Sequence, residues 1–391
     1  MQRTVEKVFF ALIRFEINGD ELCDEIKNLI TPDILPALFK LSKRHDLAHL
    51  IGDALDKNGL LPDGTDAKKR FLQERNMAVY RYEQLRYESE QVFGVLEELR
   101  VDYVPLKGTV LRKYYPEDWM RTSADVDVLV RKEDIEKIVD ALRSNLDYVQ
   151  DSIGAYDVVV VSPTGFHIEL HFDLITKYDN RTANDLLVNV WEYTDRVGAS
   201  YRRIMRDDYF YYYHIAHMAR HFIDGGCGVR PYVDLWLLNN KISFDREQRS
   251  ALLEKGGLLK FAQASEFLSR VWMENEKSDQ ESQWLEGYLL NGGVYGNKEN
   301  KVIIQQGKMG GRFKYIISRI FMPCEEMQHR YFILKKYKWL YPFMVVRRCF
   351  EVVFKGDGKR IKKELKTSDA ISMKKQDESM QLIEYLGLNE G

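Results

Sequence analysis

The chain has 391 residues, a length that predicts roughly two to three domains. Its apolar fraction of 45% and charged fraction of 30% are typical of a soluble protein with a large hydrophobic core. The formal net charge of −2 creates no global positive field, which argues against a general DNA- or RNA-binding protein.

Signals for targeting and membrane insertion are weak throughout the sequence. The apolar run at residues 8–13 is short for a signal peptide, and no stretch approaches the ~20 apolar residues that span a bilayer. The four cysteines are far apart and form no Cys-x-x-Cys pair, which favours reduced thiols over disulfides or a zinc site. We therefore expect a cytoplasmic protein with no integral membrane segment.

The first hundred residues are predicted to form an N-terminal helical region. Apolar residues between Leu38 and Leu55 recur at three- and four-residue steps, as on one face of a helix. Glycine and proline between Asn58 and Gly64 break this pattern. Residues 67–100 then predict one long amphipathic helix.

From residue 101 the apolar period changes to two, which predicts a small α/β domain over residues 101–180. Two helices are expected between its strands, at Thr109–Tyr115 and Lys132–Asn145. The predicted strands are Val101–Leu106, Ala124–Val130, Asp157–Val161 and Phe166–Phe172.

The remainder of the chain again has a helical pattern. Residues 181–366 predict a helical C-terminal domain, and residues 367–391 a polar tail that is loosely ordered after Lys366. Within the predicted C-terminal domain, residues 337–348 mix aromatic and basic side chains. This favours a helix packed on a core with its cations reaching solvent, and a membrane-surface or acceptor-binding segment is the alternative.

Three histidines share one face of a predicted helix, at His214, His217 and His221. No cysteine or carboxylate stands in register with them, so hydrogen bonds between helices are expected rather than a zinc site. Arg230 and Asp234 are four residues apart on the next predicted helix and are expected to form an ion pair.

Acidic residues alternate with apolar ones along the strand Asp125–Val130. Both Asp125 and Asp127 therefore leave one face, about 7 Å apart, where their charges repel unless a cation lies between them. A divalent cation that carries a phosphate chain satisfies such a pair, because Mg²⁺ prefers oxygen ligands. The pattern predicts phosphoryl or nucleotidyl chemistry, and the alternative is an ordinary polar face of a half-exposed sheet.

A third carboxylate and a turn add to this prediction. On the strand Phe166–Phe172, Glu169 and His171 face one way, so pairing with the acidic strand would add Glu169 to the two aspartates. The turn at Lys107-Gly108-Thr109 ends a strand and opens a helix, which suits phosphate, and Lys107 adds a positive charge. An ordinary turn is the alternative for these three residues.

Taken in order, these motifs resemble the nucleotidyltransferase superfamily related to DNA polymerase β, and in particular its branch of uncharacterised nucleotidyltransferases. The resemblance covers about residues 101–240 and, more loosely, residues 337–348. The residues that carry it are Pro105-Leu106-Lys107-Gly108, Tyr115-Pro116, Arg121, Asp125-x-Asp127, Ile168-Glu169-Leu170-His171, His217, His221 and Arg230-Pro231-Tyr232-Val233-Asp234-Leu235.

The resemblance implies an α+β fold, in which a small polymerase-β-like sheet domain is flanked by N-terminal and C-terminal helical regions. It implies Mg²⁺- or Mn²⁺-dependent transfer of a nucleoside monophosphate from a nucleoside triphosphate to an acceptor hydroxyl, with release of pyrophosphate. The acceptor is a small molecule, a protein or an RNA. The implied metal-binding and catalytic residues are Asp125, Asp127 and Glu169, and the implied nucleotide-binding residues are Lys107, Gly108, Thr109, Arg121 and His171.

Two alternatives keep the same fold. The superfamily usually has Gly-Ser at the turn, where this chain has Gly108-Thr109 preceded by a lysine. A catalytically silent nucleotide-binding or regulatory relative is therefore the first alternative, and a γ-phosphotransferase is the second. For the active enzyme, the hairpin Asp157–Phe172 is expected in the same sheet as Ala124–Val130, with Glu169 within metal-bridging reach of both aspartates.

Overall fold

A computed structural model of the chain describes residues 2–174, 181–294, 296–308, 324, 327–328, 331, 333–354 and 373–388. The predicted helices of the first hundred residues are confirmed. They are α1 (Gln2–Asn18), α2 (Asp24–Leu29), α3 (Leu35–Arg44), α4 (Ala48–Lys57) and α5 (Asp66–Glu98). Thr65 caps α5 by accepting a hydrogen bond from the Lys68 amide at 3.3 Å.

A five-stranded mixed sheet follows, in the order β1-β2-β5-β4-β3. Strands β2 and β5 are parallel and the other neighbours are antiparallel. Strand β3 was not predicted, because all five of its residues are exposed and give no apolar alternation. The elements are β1 (Tyr103–Pro105), α6 (Lys107–Leu111), β2 (Asp125–Val130), α7 (Ile135–Leu146), β3 (Val149–Ile153), β4 (Asp157–Val161) and β5 (His167–His171).

One face of this sheet packs against α5 and α7. Val126 and Val128 of β2 pair with Ile168 and Leu170 of β5, and all four are buried. They belong to a core that also contains Leu85, Val92 and Leu96 from α5 and Ile138 and Leu142 from α7. Because side chains alternate along a strand, the acidic residues between these apolar ones face away from this core.

The chain then becomes mostly helical, as predicted. A short hairpin interrupts it, and its three-residue strands are too short to produce a readable apolar period. The elements are α8 (Arg181–Val188), β6 (Thr194–Arg196), β7 (Arg203–Met205), α9 (Asp207–Ile223), α10 (Arg230–Lys241), α11 (Arg246–Lys255), α12 (Leu259–Glu274), α13 (Gln280–Gly292) and α14 (Lys298–Lys308).

Helices from both ends of the chain share a second, larger core. Phe10 of α1 stacks on Trp272 of α12 with ring centroids 4.8 Å apart, and Arg14 donates to the Trp272 carbonyl at 2.7 Å. The two helical regions predicted from the sequence therefore pack directly on each other. The domain boundaries at residues 100, 180 and 366 stay predictions.

Three further helices are described: α15 (Ile333–Lys336), α16 (Tyr341–Phe354) and α17 (Met373–Tyr385). The prediction of a loosely ordered polar tail is wrong for residues 373–388. Helix α17 and the turn after it bury Leu382, Ile383, Leu386 and Leu388 in the larger core, although the segment is polar in composition.

The architecture agrees with the predicted α+β class, with a mixed five-stranded sheet preceded and followed by helices. Its polymerase-β-like arrangement stays a prediction. Within the described parts of the chain, every helix is too short or too polar to cross a bilayer.

Gly52 sets the closest approach of α4 to α5. A Cβ atom at this position would lie 2.8 Å from the Phe71 carbonyl oxygen, which belongs to the backbone and cannot rotate away. We expect Gly52→Ala to lower the free energy of unfolding by about 1–3 kcal/mol, because it overpacks this contact. Urea unfolding followed by circular dichroism measures the change.

Gly94 is the matched control, since it lies inside α5 with nothing within 4 Å of an added Cβ. Gly94→Ala should raise stability by about 0.5–1 kcal/mol through helix propensity alone. A Gly52→Ala variant that gains stability as Gly94→Ala does would contradict the described packing of α4 on α5.

Candidate functional site

The parallel pairing of β2 with β5 creates the candidate site. Asp125 lies opposite His167 and Asp127 lies opposite Glu169 in the strand register. The expectation that the β4–β5 hairpin joins the sheet of the acidic strand is confirmed. Ligand atoms of Asp127, Glu169 and His171 lie within 4.8 Å of one another, a spacing that a metal ion can bridge. Among the described residues, Asp125 does not join that compact group.

Asp127 is the centre of the hydrogen bonding. Its Oδ1 accepts from Lys107 Nζ at 2.9 Å and from His171 Nε2 at 2.7 Å. His171 Nε2 also lies 3.3 Å from Glu169 Oε2. The Asp127 side chain is only 6% exposed, whereas that of Glu169 is 30% exposed. Lys107 and His171 thus both donate to the buried carboxylate, while the Glu169 side chain remains partly open to solvent.

These contacts lower the pKa of Asp127 and raise the pKa values of Lys107 and His171. Burial alone would raise the pKa of Asp127, but Lys107 and His171 outweigh burial and hold it below its ordinary value. Burial would likewise lower the pKa of Lys107 and of His171, and contacts with carboxylates raise both instead. Asp127 is therefore ionised and Lys107 protonated at neutral pH.

Asp125 behaves differently, because none of the described hydrogen bonds satisfies its carboxylate. Burial and the neighbouring negative charges of Asp127 and Glu169 raise the pKa of Asp125 to about 6. Burial is the largest of these causes, and a divalent cation bound beside the carboxylate would favour its charged form.

A cleft of about 260 Å³ lies between the sheet face that carries Asp125 and Asp127 and the helices α9 and α10. Asp125, Asp127, Lys107 and Gly108 line it on the sheet side. A smaller cleft of about 80 Å³ lies beside it. Lys107 lines both clefts, as do Tyr213 and His217 of α9.

The turn after β1 ends a strand and opens a helix, as predicted, since β1 ends at Pro105 and α6 begins at Lys107. Gly108 is buried, and an added Cβ would lie 3.1 Å from Ser123 Cβ and Oγ, so glycine lets the turn pack on Ser123. The amide of Thr109 donates to the Leu106 carbonyl at 3.2 Å, and Thr109 lines neither cleft. Lys107 has a backbone φ of +40°, which is strained for a residue with a side chain.

Arg121 lines the larger cleft and lies in a buried ion pair, and its predicted contact with a triphosphate stays a prediction. Its Nε donates to both oxygens of Asp234, at 2.8 and 3.1 Å, and Tyr115 donates to Asp234 Oδ1 at 2.8 Å. The predicted Arg230–Asp234 ion pair is wrong, because Arg230 pairs with Asp46. The ion pairs Arg121–Asp234 and Arg230–Asp46 therefore attach α10 to the other residues that line the larger cleft.

The histidines of α9 are placed as the periodicity indicated. His214 Nε2 contacts the Pro231 carbonyl at 3.0 Å, which confirms a hydrogen bond between helices. His217 and His221 face the larger cleft with their Nε2 atoms 3.1 Å apart. Burial lowers the pKa of both, that of His221 to about 4, so both imidazoles are neutral at pH 7.

Sequence reasoning missed Tyr213 and Asp46 as cleft residues. Tyr213 carried a readable signal, since it precedes His217 by four residues and therefore shares its helix face. Burial raises the pKa of the Tyr213 hydroxyl to about 12, so it is a neutral donor facing Lys107 and Asp127. Asp46, more than 180 residues before Arg230 in the chain, carried no local signal.

A family model described as uncharacterised nucleotidyltransferase matches residues 35–274, more than half of the chain. The match spans α3 to α12 and includes the whole five-stranded sheet, the smaller cleft and every lining residue of the larger cleft except Val294. No curated protein and no solved structure matches the chain.

The raised pKa of Asp125 predicts a stability change with pH. Because its pKa of about 6 in the folded protein exceeds the ordinary 3.8, its contribution is complete below pH 3.8 and is lost as pH rises through 6. Asp125→Asn removes this loss, so we expect it to raise the free energy of unfolding at pH 7.5 by about 1–3 kcal/mol. The gain should disappear near pH 4. Urea unfolding in metal-free buffer measures both values.

Asp151→Asn serves as the control, since Asp151 lies on the exposed strand β3 of the same sheet. It should stay within about 0.5 kcal/mol of the unsubstituted protein at both pH values. If Asp125→Asn were no more stable than the unsubstituted protein at pH 7.5, the described burial of Asp125 beside Asp127 and Glu169 would be refuted.

Proposed function

Because this chain belongs to the family of uncharacterised nucleotidyltransferases, we propose that it transfers a nucleoside monophosphate from a nucleoside triphosphate to an acceptor hydroxyl. Pyrophosphate is the second product. The observation that carries the proposal is the compact group of Asp127, Glu169 and His171, with Asp125 next to it on the same strand.

The donor set fits a hard divalent cation. Three carboxylates on one face of the sheet supply oxygen ligands, and a bound cation would stabilise the charged form of Asp125, which burial and the two neighbouring carboxylates disfavour. Asp125, Asp127 and Glu169 would hold Mg²⁺ or Mn²⁺, with His171 orienting Asp127. The bound ion would supply positive charge that orients the triphosphate and stabilises the charge that develops on its oxygens.

Lys107 has a role before and after substrate binds. Its ammonium neutralises Asp127 at 2.9 Å in the free protein. Since Lys107 lines both clefts on a flexible four-carbon side chain, it can turn from Asp127 to the phosphates when a cation replaces it. We assign the phosphate contact to Lys107 and Gly108, with Thr109 supporting the turn.

We place the triphosphate in the larger cleft, between the carboxylates and helices α9 and α10. Arg121 forms an ion pair with Asp234 in this cleft, so we assign it to stabilising the cleft wall. Contact between Arg121 and the triphosphate would require this ion pair to break. Tyr213 and His217 offer neutral polar groups to the substrate from α9.

Glu169 would serve the acceptor. With 30% of its side chain exposed, its carboxylate can be reached from solvent. The acceptor oxygen attacks the α-phosphorus and forms the new O–P bond, while the bond to the bridging oxygen of pyrophosphate breaks. Glu169 accepts the proton of the attacking hydroxyl. The acceptor is a hydroxyl of a small molecule, a protein or an RNA.

A silent nucleotide-binding or regulatory relative is the second candidate. The contact of Lys107 with Asp127 favours it, because the ammonium occupies an oxygen that a metal ion needs. In that case the cleft would bind a nucleoside triphosphate without transferring any part of it.

Label transfer separates these functions. The purified chain is incubated in a cell extract with Mg²⁺ and triphosphates labelled at either the α- or the γ-phosphate. We expect α-label in an acceptor and no γ-label. Asp127→Asn should reduce transfer at least about a hundredfold, or ~2.7 kcal/mol in activation free energy, because it removes a charged ligand.

Asp151→Asn should keep full transfer, and thermal melting should show that Asp127→Asn is folded. Transfer of γ-label would identify a phosphotransferase instead. Nucleotide binding by calorimetry with no transfer of either label would favour the silent relative. Full transfer by Asp127→Asn would exclude the proposed metal site.

A further inference from the structure

The segment around α15 and α16 exposes an unusual amount of apolar surface. Trp339 is 68% exposed, Phe343 63% and Val346 56%, and Tyr337 is 43% exposed. Exposed large apolar side chains usually stand singly on a protein surface, whereas these four occur within ten residues. Such clustering marks a surface that binds a partner.

Three of these side chains lie close together, and Tyr337 is two residues before Trp339 in the chain. The rings of Trp339 and Phe343 meet edge to face with centroids 6.4 Å apart. Val346 follows Phe343 by three residues on α16, so it lies on the same side of that helix. We call Lys336, Tyr337, Lys338, Trp339, Phe343 and Val346 the aromatic–basic surface.

The opposite side of the same segment is anchored. Leu334 and Val345 are buried together with Met327 in a small core of their own, and Leu340 and Met344 pack against it. The exposure of Trp339 and Phe343 therefore belongs to a folded amphipathic segment, with one face inward and the other facing solvent.

Charge points to one kind of partner. Residues 330–350 contain six lysines and arginines and no aspartate or glutamate, in a chain whose net charge is −2. Lys336 and Lys338 are exposed on either side of Tyr337, and the Lys336 ammonium lies 5.4 Å from the Tyr337 ring centroid. Aromatic side chains interleaved with cations suit the interface of an anionic bilayer, where rings enter the headgroup region and cations meet lipid phosphates.

We propose that the aromatic–basic surface binds the protein peripherally to anionic membranes. Trp339 and Phe343 insert among the headgroups, and Lys336 and Lys338 supply the electrostatic attraction. The binding does not depend on the proposed transfer reaction, so each can fail alone. It would place a nucleotide-dependent reaction at a membrane surface, with the sheet and its clefts outside the lipid.

Vesicle sedimentation tests this with the full chain. Vesicles of phosphatidylcholine alone are compared with vesicles of phosphatidylcholine and phosphatidylglycerol at a ratio of about 3:1. We expect binding to the anionic vesicles only, weakened by high salt because the Debye length shrinks. Lys336→Gln with Lys338→Gln should weaken binding about fivefold per lysine. Trp339→Ser with Phe343→Ser should weaken it at least about tenfold.

Tyr80→Ser with Tyr87→Ser is the matched control, since each of these α5 tyrosines is 57% exposed and lies outside the aromatic–basic surface. This variant should bind as the unsubstituted protein does. Equal binding by all variants, or no binding to anionic vesicles, overturns the proposal. So does concentration-dependent dimerisation that Trp339→Ser with Phe343→Ser abolishes, since a second copy would then cover the surface.

Discussion

The register between strands β2 and β5 is the constraint on which the candidate site depends. It places Asp127 beside Glu169 while Val128 and Leu170 enter the core behind them. A shift of one residue would move the carboxylates into that core and the apolar side chains into the cleft, which burial forbids. The hydrophobic core therefore fixes the position of the acids, although it contributes nothing to their chemistry.

Charge balance in the cleft explains why Lys107 and His171 lie beside Asp127. The buried carboxylate of Asp127 is held by Lys107 and His171, whereas Asp125 has a raised pKa. One end of the site is thus neutralised by the protein itself, and the other retains a charge that a bound cation would compensate. The strained backbone of Lys107 is consistent with a residue placed for function.

Local patterns and the pairing of the acidic strand with the later hairpin could be predicted from the sequence, whereas long-range side-chain contacts could not. Strict alternation gave the acidic strand and the face of Glu169, since period two is a property of adjacent residues. The partner of Arg121 was out of reach, because Asp234 lies on a helix 113 residues later. Helix α17 was not predicted for a related reason. Its few apolar residues are buried by contacts with a core formed by distant parts of the chain, and those contacts cannot be inferred from the local sequence.

Anomalous diffraction from crystals soaked with Mn²⁺ and α,β-methylene-ATP tests the central claim most directly. The account predicts a manganese peak about 2.0–2.3 Å from carboxylate oxygens of Asp127 and Glu169, with Lys107 moved from Asp127 toward the phosphates. It also predicts the triphosphate in the larger cleft, between the sheet and α9. Manganese bound away from these carboxylates, or a nucleotide bound outside that cleft, would contradict the account.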